Sequence, residues 1–187
     1  MELTSRETWT LIHGLILGSL FLLAFAGGLA GLYSFRTELV TPEGIHERLF
    51  RLRVGVTGMA VLAWATVITG TWVVYPWYRE TIAGKSLAAC EGLQAPNDKC
   101  SPKVLLSNTS GDTSNWHEFG MEWKEHIAWI APMLATAAAL FVLYYGRSLV
   151  TDKRLRMIVL VLFVAAFATA AIAGLFGALI TKAAPVR

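Results

Sequence analysis

The sequence has few of the groups with which soluble enzymes work. It contains two cysteines in 187 residues, and no C-x-x-C pair, which argues against the four-helix disulfide-exchange enzymes that depend on one. It also lacks a glycine-rich phosphate loop, a serine or cysteine nucleophile constellation and a row of charges suited to ion conduction. The formal net charge of +3 is not gathered in a basic stripe, so nucleic acid is not an expected partner.

Charged residues are missing altogether from four long stretches. These are residues 8–35, 54–78, 126–146 and 157–181. Each reaches the ~20 apolar residues with which an α-helix crosses about 30 Å of hydrocarbon. Because lipid offers no partner to an unpaired peptide group, the stretches predict helices.

The expected fold is an all-α integral membrane protein, of the kind found in a prokaryotic cytoplasmic membrane. Residues 1–187 form a single domain, a bundle of four transmembrane helices running up and down. We expect the helices at about 5–35, 50–78, 116–146 and 154–182, with one long loop at about 79–115 between helices two and three.

Two connections between the stretches concentrate positive charge and predict the orientation. Together they hold eight basic residues, Arg36, Arg48, Arg51, Arg53, Arg147, Lys153, Arg154 and Arg156. The segment before the first stretch holds only Arg6. By the positive-inside rule both connections face the cytoplasm, and both termini and the long loop lie on the outer side.

The long loop contains both cysteines, Cys90 and Cys100. On an oxidising side of the membrane, such a pair can close a small ring across the polar segment between them. We expect a structural disulfide; a redox-active pair is the alternative. Apolar loop residues, Leu105 and Leu106 among them, are expected to cap the bundle.

Two histidines lie near the matching ends of different helices. The run Thr4-Ser5-Arg6-Glu7 matches a capping box at the start of helix one, and Asn115 begins the same pattern for helix three. His13 and His126 then lie at roughly 13 and 16 Å from the helix starts. Both helices run inward from the same side, so the two imidazoles can share one ligand.

His13 allows two interpretations. One is an interhelical hydrogen bond, which polar side chains commonly form in membranes. The other is a metal or haem ligand, since an imidazole inside a membrane is a candidate functional group. Gly14 and Gly18 beside it leave room for a flat macrocycle or for close helix packing. Glu122 precedes His126 by one turn, so it is expected to orient that imidazole or to join it at a metal.

The other two histidines are weaker candidates. His117 lies nine positions before His126, on the opposite face of a continuous helix, and serves the same centre only if the helix breaks near Gly120. His46 stands among Glu47 and Arg48 at the inner entry to helix two. We interpret it as a solvated interfacial residue.

With four spans and paired histidines, the chain resembles the small four-helix b-type cytochromes that anchor respiratory enzymes and exchange electrons with quinones. The resemblance implies haem b, with His13 and His126 as axial ligands of its iron. If the chain is an electron-transfer subunit of this kind, Trp9, Trp123 and Trp129 are candidates for contact with a quinol. A second histidine pair near the inner side, which the two-haem members have, is missing.

Three functions from different classes remain open at this point. The first is an electron-transfer subunit with haem b near the outer face, exchanging electrons with quinone within a larger complex. The second is a structural or assembly subunit of such a complex, which docks through the disulfide loop. The third is a membrane enzyme with a metal site built from His13, Glu122, Glu125 and His126.

Overall fold

The computed structural model describes residues 3, 5–35, 44–79, 101–108 and 114–184. Within these ranges the chain is helical and contains no strand. Four helices are long and apolar enough to cross a membrane: α1 (Ser5–Ser34), α2 (Ile45–Arg79), α4 (Trp116–Tyr145) and α6 (Lys153–Ala183). The short helices α3 (Pro102–Asn108) and α5 (Ser148–Thr151) lie between them. The prediction of four helices of membrane-spanning length and apolar character is confirmed.

Contacts at one end of the bundle show that neighbouring spans run antiparallel. Arg156, near the start of α6, donates to the main-chain oxygen of Phe35 at the end of α1 (3.0 Å). Arg147, just after α4, donates to Nε2 of His46 at the start of α2 (2.6 Å). We call this the basic end, because the side chains of Arg48, Arg53, Arg147 and Arg156 lie there.

Close packing near the basic end depends on glycine. The main chains of α1 and α2 cross at Gly28 and Gly55, where a Cβ added to Gly55 would lie 2.8 Å from the nitrogen of Gly28. One turn before Gly28, Phe25 stacks on Phe163 and Phe167 of α6, with ring centroids 5.2 and 4.1 Å apart. These contacts hold α1 against both neighbours in this half of the bundle.

The opposite end of the bundle is closed by α3. Leu105 and Leu106 of that helix are 1 % and 0 % exposed, and they pack with Tyr78, Met121 and Ile180 from three different spans. The prediction that these two leucines cap the bundle is confirmed. The predicted disulfide lies outside the described residues, since neither Cys90 nor Cys100 is among them. The predicted capping residue of helix one, Thr4, lies outside them as well.

Candidate ligand cavity

A cavity of about 270 Å³ lies between the four spans, in the half nearer to α3. Its size is close to the lower limit of about 300 Å³ that is usual for ligand pockets. Most of the wall is apolar side chain or glycine. The polar side chains that line it are His13, Thr66, Thr71, Tyr75, Lys124 and Glu125.

Three of the four spans widen into a π-helical turn beside this cavity. The turns are Ile12–Ile16, Gly70–Val74 and Trp116–Met121. Each contributes lining residues, among them His13, Gly70 and Met121. A π-helical turn costs regular hydrogen bonding, and such turns occur frequently at functional sites. Their convergence on one cavity distinguishes this part of the bundle from the rest.

A single contact fixes the tautomer of His13. Its Nδ1 lies 3.1 Å from Oγ1 of Thr69, and the Thr69 hydroxyl already donates to the main-chain oxygens of Ala65 (2.8 Å) and Thr66 (3.1 Å). With that hydroxyl hydrogen on the main-chain oxygens, the Thr69 oxygen accepts from His13, and this network assigns the hydrogen of the ring to Nδ1. The lone pair of the neutral ring is then on Nε2, where it can accept a hydrogen bond or bind a metal.

Gly70 makes room for the imidazole. The ring of His13 lies directly against the position where a side chain at Gly70 would begin. Thr69 and Gly70 are consecutive, so α2 both bonds the ring and packs against it. This contact gives His13 one well-defined orientation at the cavity.

Lys124 and Glu125 bring opposite charges to the same cavity. The ammonium of Lys124 reaches α6, where its Nζ would lie 3.3 Å from a Cβ at Gly177. Tyr75 lines the same cavity as Glu125, and Arg79 lies 5.3 Å from the centre of the Tyr75 ring. In the part of the chain that the structure describes, Lys124 has no hydrogen bond and no ion pair within 4 Å.

The cavity has a gap in its wall between α1 and α6. A Cβ built at Gly14, Gly18 or Gly174 would meet no atom within 4 Å, and Gly14 and Gly174 are exposed. These glycines therefore open the cavity sideways, toward the surface that lipid covers. The small residues noted in the sequence create space here, whereas Gly28 and Gly55 serve close packing.

An aromatic cluster forms part of the cavity wall opposite the gap. Trp129 lines the cavity, and its ring meets Trp64 and Trp72 edge-on, with both centroid distances 6.2 Å. Trp64 is itself held by a hydrogen bond from Nε1 to Thr136 (3.0 Å). Of the three tryptophans predicted near a quinone, Trp129 borders the cavity, while Trp9 and Trp123 are 36 % and 51 % exposed.

His126 lies elsewhere. It is exposed, its Nδ1 donates to the main-chain oxygen of Glu122 (2.7 Å), and it is not among the cavity-lining residues. At 100° per residue it is roughly 150° around α4 from the face that lines the cavity. The structure thus brings His13 together with Lys124 and Glu125, and not with His126. Glu122 contacts His126 through its carbonyl, and its own side chain is exposed.

The two remaining histidines each bond a residue of a neighbouring helix or turn. His117 is half-buried, with Nδ1 2.7 Å from the hydroxyl of Tyr78, and α4 continues past Gly120 as a π-helical turn without a break. His46 accepts from Arg147 at the basic end, as an interfacial residue would. Among the described residues, no group of three His, Cys, Asp or Glu side chains could hold a metal ion.

The sequence did not predict the positions of Lys124, Thr69 and Gly70 at the cavity. Lys124 and Gly70 line it, and Thr69 bonds His13. A signal existed for Lys124, because the capping pattern at Asn115 already placed it inside the third helix. No local pattern marks Thr69 or Gly70, whose importance comes from the neighbouring helix. Comparison of the chain with protein-family models, curated proteins and solved structures finds no match. The function proposed below is therefore inferred from the cavity residues.

Proposed function

We propose that the chain is a membrane electron-transfer subunit whose cavity binds the ring of a quinone-class ligand. The observation that carries this proposal is the imidazole of His13, which Thr69 holds through Nδ1 at the wall of a mostly apolar cavity. Ligand sites of this kind combine an apolar wall with a few polar groups that fix the orientation of the ligand.

The available donors and acceptors suit both redox forms of such a ring. Nε2 of His13 can accept from a quinol hydroxyl, and Nζ of Lys124 can donate to a ring oxygen. Trp129 and the small residues of α6 offer a flat apolar surface for the ring itself. The gap at Gly14, Gly18 and Gly174 suits the apolar tail of a lipid-soluble quinone, which has to enter from the bilayer.

The proposed chemistry is quinol oxidation with charge separation. A quinol releases two protons and two electrons when it becomes a quinone. His13 takes one proton at Nε2, and the carboxylate of Glu125, which also lines the cavity, takes the other. The two electrons pass one at a time to a haem or iron–sulfur centre in a neighbouring subunit of the complex. By the positive-inside rule the cavity lies in the outer half of the membrane, so the protons leave toward the outer side.

Haem b is the second candidate for the same cavity. The Nε2 lone pair of His13 suits one axial bond, and the gap between α1 and α6 gives a macrocycle space. Haem would supply reversible one-electron transfer. His126, the predicted source of the second axial nitrogen, lies on a face of α4 other than the one that lines the cavity. The pairing of the two histidines around one haem therefore stays a prediction.

Two measurements on the purified protein test these proposals. The first is titration with naphthoquinone, followed through quenching of tryptophan fluorescence. We expect saturable quenching that is reduced in the variant Trp129→Phe, with Trp9→Phe as the control. The second is the absorption spectrum, in which a reducible α-band would favour haem b. A colourless protein without saturable quenching would contradict both and favour the structural subunit.

A further inference from the structure

We infer that the cavity takes a ring ligand with a negatively charged oxygen, and that Lys124 binds this oxygen. The inference rests on the proposed function and adds the charge of the ligand to it. Its basis is a lysine side chain that lines the cavity and has no hydrogen bond or ion pair among the described residues.

The surroundings of Lys124 explain why the ligand has to supply the partner. A charged side chain within a membrane bundle is costly and is normally paired. The ammonium of Lys124 lies beside Gly177, where a Cβ would be 3.3 Å from Nζ, and this glycine offers no charge. Glu125, the adjacent residue, also lines the cavity, but among the described residues it forms no ion pair with Lys124 within 4 Å. An anionic oxygen in the cavity would compensate the ammonium that the protein leaves unpaired.

The remaining polar groups of the cavity agree with this assignment. His13 faces the cavity with an acceptor nitrogen, so it prefers a ligand hydroxyl and would repel a second anionic oxygen. The arrangement therefore distinguishes the two ends of a ring, with a hydroxyl at His13 and an oxyanion at Lys124. A quinol that has lost one proton has this pattern, and the anion of a quinone with an acidic ring hydroxyl has the charged oxygen of it.

Two ligands of almost equal shape test the inference on the wild-type protein. Naphthoquinone is neutral, and its derivative with a hydroxyl on the quinone ring is an anion at neutral pH. A charge-assisted hydrogen bond is stronger than a neutral one, so we expect the anion to bind about tenfold to hundredfold more tightly. Equal affinities of the two compounds would overturn the inference and leave the proposed function standing.

Substitutions then test whether the preference for the anionic ligand comes from the charge of Lys124. We expect Lys124→Met to abolish the preference for the anionic ligand and Lys124→Arg to retain most of it. The control Lys182→Met, at an exposed lysine of α6, should leave the preference unchanged. Glu125→Gln removes the negative charge from the cavity and should increase the preference. A preference that survives Lys124→Met would contradict the role of Lys124. Failure of both compounds to bind the wild type would overturn the proposed function together with the inference.

Discussion

The imidazole of His13 lies against the main chain of Gly70, and a Cβ at Gly70 would be 2.7 Å from Cε1 of the ring. Real Cβ atoms do not approach other atoms so closely, so one of the two elements would have to move. Because Thr69 holds the ring on the same side, the imidazole has little freedom to turn away. The absence of a side chain at Gly70 therefore determines where the cavity presents Nε2.

We predict that Gly70→Ala displaces His13 and weakens ligand binding at least tenfold. Overpacking of this kind typically costs about 1–3 kcal/mol of stability. The matched control is Gly27→Ala in α1, where an added Cβ meets no atom within 4 Å. Thermal unfolding in detergent and naphthoquinone titration measure the two effects. Equal behaviour of both variants would show that the contact with His13 is unimportant.

The hydrogen bond from His13 to Thr69 is expected to orient the ring without contributing much to folding. Thr69→Val keeps the shape and removes the acceptor, so we predict an affinity loss of about tenfold to hundredfold, as for other residues that orient a ligand-binding histidine. Thr169→Val is the control, because its hydroxyl bonds only main-chain oxygens of its own helix. An unchanged ligand affinity in Thr69→Val would count against the assigned tautomer.

Packing of α1 on α2 should depend on Gly55 and hardly at all on Gly58. A Cβ at Gly55 would lie 2.8 Å from the main chain of Gly28, whereas at Gly58 the nearest atom is Cβ of Ala24, at 3.9 Å. We therefore predict that Gly55→Ala destabilises the bundle by about 1–3 kcal/mol and that Gly58→Ala has an effect below about 1 kcal/mol. Thermal unfolding of the two variants under identical conditions measures the difference.

The eight basic residues of the two short connections predict the orientation in the membrane. A reporter that is active only in the cytoplasm should work when fused at Asp152 and fail at Pro96. The opposite pattern would move the cavity to the cytoplasmic half and reverse the side on which protons are released. The contacts within the cavity would remain as described.

The four spans were predictable because lipid imposes one requirement on any segment that crosses it. A chain without charge over a sufficient length must satisfy its own peptide groups, and a helix does so. The positions of Leu105 and Leu106 as a cap followed from their apolar character in an otherwise polar loop. These properties are local and can be read from the sequence.

The cavity was only partly predictable, since it depends on how each helix is rotated. Counting residues gives the depth of His13 and His126 along their helices, but not the direction in which they point. Lys124 lies beside Gly177 of α6 and lines the cavity, so its side of α4 is the one that faces inward. His126 does not line the cavity. The three π-helical turns have no common sequence signal, and they arise from packing between the spans.

The binding of naphthoquinone to the variants His13→Ala and His126→Ala tests the central claim most directly. Fluorescence titration should show that His13→Ala loses binding at least tenfold, because the only imidazole lining the cavity is gone. We expect His126→Ala to bind like the wild type, since its side chain is exposed on another face of α4. Equal losses of affinity in both variants, or no loss in His13→Ala, would contradict a cavity site that uses His13 and not His126.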